Sequence, residues 1–131
     1  MIPSREEFIA LCKEHGACPT EFNKLIHAKS DAKFWGVALA NYSWCMDEEI
    51  LILDDIISLI RNGADINAEN NHGDTPLMIA SQRGNLEIVK ELLSYGVDVN
   101  VRDNDRNTAL QYALDYDYPE VAQLLKQHGA V

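Results

Sequence analysis

Three side chains near the amino terminus, Cys12, His15 and Cys18, stand three residues apart and have the chemistry to ligate a metal. Zinc sites usually draw on cysteine pairs at shorter spacing together with a fourth ligand, and no second pair follows. These residues therefore read as ordinary buried thiols and a surface histidine. Cys12 or Cys45 could in principle act as a nucleophile, but neither lies in a recognisable nucleophile motif. Asp54 with Asp55, and Asp103 with Asp105, read as solvated surface rather than as an acid–base pair. The second pair could attract a cation weakly, although it lacks the remaining ligands of a calcium loop. Gly84 and Gly96 are too far apart to form a phosphate-cradling loop and read as helix stops. The expectation is a protein without catalysis, metal or cofactor.

Composition narrows what the elements around those residues can be. A chain of 131 residues with 47% apolar side chains suits one compact domain with a core. No apolar run reaches membrane-spanning length. The start, "MIPSREEFIALCKEHG", lacks the basic-then-apolar order of a secretion signal. The odd count of three cysteines favours a reducing compartment, so a cytoplasmic location is expected. Charge is unevenly placed. Residues 1–40 hold five acids and five bases, whereas residues 41–131 hold sixteen acids against six bases, so the net −10 lies entirely in the second part. Such a field repels phosphate backbones and attracts basic surfaces, which excludes nucleic acid as the expected partner. It also serves solubility.

The second part repeats itself. "HGDTPLMIASQRGN" at 72–85 returns 33 residues later as "DRNTALQYALDYDY". At that offset Gly63, Gly96 and Gly129 align, as do Asp65 with Asp98, Asn67 with Asn100, Thr75 with Thr108, Leu77 with Leu110, and Ala80 with Ala113. Leu59, Leu92 and Leu125 form a further column. Thr75 before Pro76 predicts a helix start, since the hydroxyl can cap an orphan amide and proline needs no partner at the first helical position. Gly84 predicts its end in left-handed backbone. "LEIVKELLSY" then places Leu86, Val89, Leu92 and Leu93 on one stripe, predicting a second helix. "VDVNVRDNDRN" runs extended into a turn. Two short helices with one apolar face each cannot bury that face alone, so the units must stack.

In period and in motif words this pattern resembles the ankyrin repeat. The resemblance covers residues 53–131: a partial repeat at 53–70, a full repeat at 71–103 and a carboxyl-terminal capping repeat at 104–131. It implies an all-α solenoid of helix-turn-helix units. The histidine that usually follows "TPL" in the family is Met78 in one copy and Gln111 in the other. That histidine normally ties neighbouring loops, so looser loops are expected here.

The losses in the last copy have a physical reading. Asp117 stands where the earlier unit has Gly84, and aspartate tolerates left-handed backbone. Arg106 stands where it has Gly73, and positive φ is expected to fall instead on Asp105 or Asn107. Lys126 replaces Leu93, a polar residue at a stacking position, as a water-facing end unit needs. With four residues after Gln127, this last copy is expected to be the capping unit. At the other end, residues 1–52 are expected to form a divergent helical cap. "SREEFIALCKEH" has Ser4 and Glu7 at capping-box spacing, and "TEFNKLIHAK", "SDAKFWGVALANYSW" and "DEEILILDDIISLIRNG" read as further helices. Trp35 and Trp44 are read as core.

The resemblance also implies how such a stack works, by holding a protein partner on its loop tips and on the exposed side of each first helix. Carried over position by position, this selects Glu69, Asn71, His72 and Asp74 with Gln82 and Arg83 in one unit. The next unit supplies Arg102, Asn104, Asp105 and Asn107 with Asp115 and Tyr116. Apart from Asn71 and Asn104, these positions differ between copies while the structural columns repeat. Tyr112 aligns with Ile79 and is read as core, leaving Tyr116, aligned with Arg83, as the aromatic contact. The expected protein is a monomer that binds another protein, one with a basic surface, without membrane or nucleic acid. A narrower alternative is an acidic inhibitor or immunity-type protein masking a basic enzyme such as a nuclease. An enzyme using Cys12 or Cys45 is the remaining contrast.

Overall fold

The computed structural model describes residues 4–16, 34–36, 39 and 53–131. Cys18, Trp44, Cys45, most of the cap helices beyond residue 16 and the acids preceding residue 53 lie outside the described residues. The described residues form helices joined by turns.

Helix α1 spans Arg5–Glu14 and begins as expected with a capping box: the Glu7 N–H donates to Ser4 Oγ at 3.2 Å, and the Ser4 N–H donates to Glu7 Oε2 at 2.8 Å. The Ser4 N–H, with help from its hydroxyl, holds the Glu7 carboxyl below its ordinary range. The helix buries Phe8 and Cys12. Phe8 meets Phe34 and Trp35 edge-on at 5.8 and 5.2 Å between ring centroids, and the Arg5 guanidinium lies 4.7 Å above the Phe34 ring. This cluster docks on the repeats through Gly36. A Cβ there would meet Asp65 Cβ at 2.7 Å and the Asp65 carbonyl oxygen at 2.8 Å, so only glycine lets the backbone come this close.

The repeat region carries five helices: α2 (Leu53–Arg61), α3 (Pro76–Arg83), α4 (Leu86–Ser94), α5 (Ala109–Asp115) and α6 (Pro119–Gln127). They form two layers. The first helices α3 and α5 pack together, the second helices α2, α4 and α6 line up beside them, and each first helix lies on its own second helix. Thr75 and Thr108 cap α3 and α5 by accepting from Met78 N–H at 3.4 Å and Gln111 N–H at 3.2 Å. Pro76 and Pro119 occupy first-turn positions, where a missing N–H costs nothing. Leu59, Leu92 and Leu125 are all buried, one per second helix, so the aligned column is the spine of the core. Outside that spine Arg61 pairs with Glu91 at 2.5 Å between neighbouring outer helices, in a position that water screens.

Gly84 closes α3 at φ 67°, and any Cβ there would collide with the Tyr118 ring of the next unit. Left-handed backbone and close approach thus both require glycine at this position. Its counterpart Asp117 takes φ 60°, the left-handed conformation expected of it. Lys126 is exposed where Leu93 is buried. The turn before α5 corrects an expectation, because positive φ falls on Arg106 itself, at 67°, and not on Asp105 or Asn107. The cause is a carboxylate at the turn's start. Asp103 Oδ1 accepts the N–H of Asp105 at 2.8 Å and of Asn107 at 2.9 Å, while the Arg106 N–H donates to the Asp103 carbonyl at 3.0 Å. Wrapping the backbone around that oxygen leaves Arg106 in the conformation that Gly73 takes at φ 77°.

Candidate functional site

The turns that end in α3 and α5 are built alike. Asn70 Oδ1 accepts the His72 and Asp74 N–H groups at 2.9 and 3.0 Å, as Asp103 Oδ1 accepts those of Asp105 and Asn107. Each turn is closed by a main-chain bond, Asn70 N–H to the Asp74 carbonyl and Asp103 N–H to the Asn107 carbonyl, both at 3.0 Å. Asn70 and Asp103 are 33 residues apart in the chain. Both belong to the residue types that fold backbone N–H groups onto their own side-chain oxygen. That column was a signal in the sequence, and it identifies the residues that shape both loop tips.

Neighbouring tips are joined as well. The Asn104 N–H donates to the His72 carbonyl at 3.0 Å and its side-chain amide to the Asn71 carbonyl at 3.1 Å. Gly73 lies so close beneath that a Cβ would meet Asn104 Oδ1 at 2.8 Å. The Tyr112 hydroxyl, on α5, donates to Asp103 Oδ2 in a short hydrogen bond. The loops are therefore held without the histidine replaced by Met78 and Gln111, contrary to the looseness expected from its loss.

This network changes the reading of Asp103. It is not solvated surface: it is only 7% exposed. Burial alone would raise its carboxyl, but the Tyr112 hydroxyl and the N–H groups of Asn107 and Asp105 outweigh that, and it is held below the ordinary carboxylate range. Asp74 is shifted the other way. Burial and the neighbouring Asp103 charge raise it, against weaker opposition from Asn70 and His72. Burial, with Asp103 as hydrogen-bond acceptor, raises the Tyr112 hydroxyl too, so it stays a donor at any ordinary pH.

The twelve residues selected as contacts fall into two groups. Glu69, Asn71, His72, Arg102, Asn104, Asp105, Asp115 and Tyr116 are exposed, while Asp74, Gln82, Arg83 and Asn107 are half-buried. Tyr116 is 58% exposed, with its ring centroid 6.4 Å from that of Tyr112, which packs against the core. Asp115 accepts from the Gln111 side-chain amide at 2.9 Å, which fixes its rotamer. Asn104 is committed to joining the tips through its amide nitrogen and offers only its remaining atoms outward. Cys12 is buried in the core, and burial pushes its thiol up to about 11, the opposite of what a nucleophile requires. Among the described residues no group of three or more histidines, cysteines and acids is placed to hold a metal. No described helix is long and apolar enough to cross a membrane.

Comparison with known proteins agrees with this geometry. The family model for ankyrin repeats, in three copies, matches residues 52–131. Over 32 residues the chain is 53% identical to an ankyrin repeat protein of Rickettsia bellii (strain RML369-C), a stretch that is 24% of this chain and 19% of that protein. The chain thus spans well under two thirds of that relative's length. Paired helices stacked in two layers, capped by threonine and joined through their turns, match the family in arrangement as well as in sequence, and the chain belongs to the ankyrin repeat family.

Proposed function

We propose that the protein is a binding module for another protein, held on the tips at residues 69–74 and 102–107 and on the outward side of α3 and α5, and that it performs no chemistry. Ankyrin repeats generally mediate protein–protein interaction. The observation that carries the reading for this chain is the contrast within each unit. Residues that build the turns and core are buried or hydrogen-bonded, whereas eight of the twelve selected contact positions are exposed. Tyr116 is the contact expected to contribute most, because an exposed tyrosine brings area and a hydroxyl with few rotors. The partner surface is basic, in keeping with the net −10 carried by residues 41–131, and the module acts as a monomer in the cytoplasm.

Capturing partners from the source cell on immobilised protein, followed by titration of the one recovered, tests this. Exchanging Asp115 for Lys and Tyr116 for Ala together is expected to weaken binding by at least about tenfold, the effect of losing one central contact. Unchanged affinity would remove α5 from the interface. The same charge distribution favours a second reading, an inhibitor that masks a basic enzyme such as a nuclease. In that case affinity falls steeply as salt rises. A salt-insensitive complex rejects it.

A further inference from the structure

Each second helix ends in the same turn. Gly63, Gly96 and Gly129 take left-handed backbone at φ 88°, 74° and 93° after α2, α4 and α6. The residue after each glycine reaches back with its N–H: Ala64 to the Leu59 carbonyl at 3.1 Å, Val97 to Leu92 at 3.4 Å, Ala130 to Leu125 at 3.1 Å. Backbone geometry therefore fixes glycine in all three units. The residue before it is free to vary, and reads Asn62, Tyr95 and His128. Of the three, asparagine alone can react with the glycine that follows. Its side-chain carbonyl lies one ring closure from the next main-chain nitrogen, and glycine has no side chain to block the approach. Asn62–Gly63 is the one such pair in the chain.

We propose that Asn62 is a self-modification site, converting to aspartate or isoaspartate without an enzyme when the turn after α2 opens, and preserved while it is closed. The Gly63 nitrogen attacks Asn62 Cγ. A bond forms between them, the Cγ–Nδ2 bond breaks, and ammonia leaves with the Gly63 amide proton, giving a five-membered imide. Water then opens the ring. Attack at Cγ gives aspartate, whereas attack at the main-chain carbonyl carbon gives isoaspartate, whose backbone runs through the side chain and is one methylene longer. No oxidant or cofactor enters.

The closed turn restrains both reactants. The Asn62 side-chain amide donates to the Ser58 carbonyl at 2.7 Å, and its main-chain N–H donates to the same oxygen at 2.9 Å. The Gly63 N–H donates to the Ile60 carbonyl at 3.3 Å. Ring closure needs that nitrogen to lose its proton and the Asn62 side chain to leave Ser58, so both bonds must break first. Asn62 and Gly63 are exposed, so water and base reach them once the turn opens. The product bears on the fold, because Ala64 is buried and the next residue, Asp65, is where Gly36 of the cap docks. An added backbone atom between Leu59 and Ala64 displaces the Ala64 N–H from its acceptor. Reaction thus makes a passing opening permanent, at the joint of cap and repeats, whatever the chain binds.

Peptide mapping by mass spectrometry tests this on the full chain, incubated at mildly alkaline pH both folded and in guanidinium. In denaturant the Asn62 peptide should convert from amide to acid and separate into aspartate and isoaspartate forms. In the folded chain conversion should be at least about tenfold slower, since only the opened fraction reacts. Equal rates in the two states, or an Asn62 that persists in denaturant, would overturn the proposal. The consequence is read after return to native buffer. Isoaspartate protein should lose amide exchange protection at Ala64 severalfold, or fail to refold. Freshly prepared Asn62→Asp, with the same charge on an ordinary backbone, should fold and keep that protection. Isoaspartate protein that protects Ala64 as the wild type does, or an equal loss in Asn62→Asp, would overturn the one-way opening.

Discussion

At the scale of single residues, this chain works its side chains hardest where the backbone is least comfortable. Arg106 holds left-handed backbone, which costs an L-residue roughly 1–2 kcal/mol, because Asp103 wraps the turn around its carboxylate. Arg106→Gly should therefore raise unfolding stability by about 0.5–1 kcal/mol, less than the full strain because glycine also gains freedom in the unfolded chain. A urea midpoint that falls instead would show that the arginine side chain contributes more than its backbone loses. Cys12 makes an opposite kind of residue-level statement. Buried, and with its thiol raised to about 11, it should resist a thiol reagent at neutral pH until the chain unfolds. Mass spectrometry of the labelled protein in and out of urea checks this, and rapid labelling of Cys12 in the folded state would contradict its placement. Neither the Asp103 turn nor its tie to Tyr112 followed from reading residues singly. Asp103 beside Asp105 looks like any acidic surface pair, and its burial arises only when Tyr112, nine residues on, folds back over it.

Whole helices depend on how they begin, end and stack. Thr75 satisfies one amide at the start of α3, and Thr75→Ala is expected to cost about 1 kcal/mol. The stop is more demanding. Gly84→Ala puts a Cβ into left-handed backbone and into the Tyr118 ring at once, so the loss should exceed that of the cap, at roughly 2–3 kcal/mol. Chemical denaturation of the two variants side by side gives the ranking, and a milder effect at Gly84 than at Thr75 would contradict the close approach. Element ends were well legible in the sequence, because threonine–proline starts and glycine stops act locally. The expectation of loose loops failed for the complementary reason. It was drawn from a missing histidine, whereas the tips are joined by Asn104, which reaches back across a full repeat.

For the molecule as a whole, the helical cap and the repeats meet at Gly36, where no side chain fits between the cap and Asp65. Gly36→Ala should strain that junction by about 1–3 kcal/mol, as overpacking generally does. A drop in the thermal midpoint followed by tryptophan fluorescence, to which Trp35 contributes beside the junction, is the expected outcome. An unchanged midpoint would mean that the cap does not bear on the repeats. By itself the sequence determined the period, the helices, the buried leucine column and the acidic balance, because each of these is written in residues that are close along the chain or recur at one fixed offset. It also singled out which positions vary from copy to copy. What only the tertiary structure decided is how the chain touches itself across its units and turns: that Arg106 bears the strain, that Asn104 spans two tips, and that Tyr112 closes on Asp103. Those partners lie up to 33 residues apart, and a hydrogen bond's donor and acceptor carry no mark of each other until stacking brings them within reach.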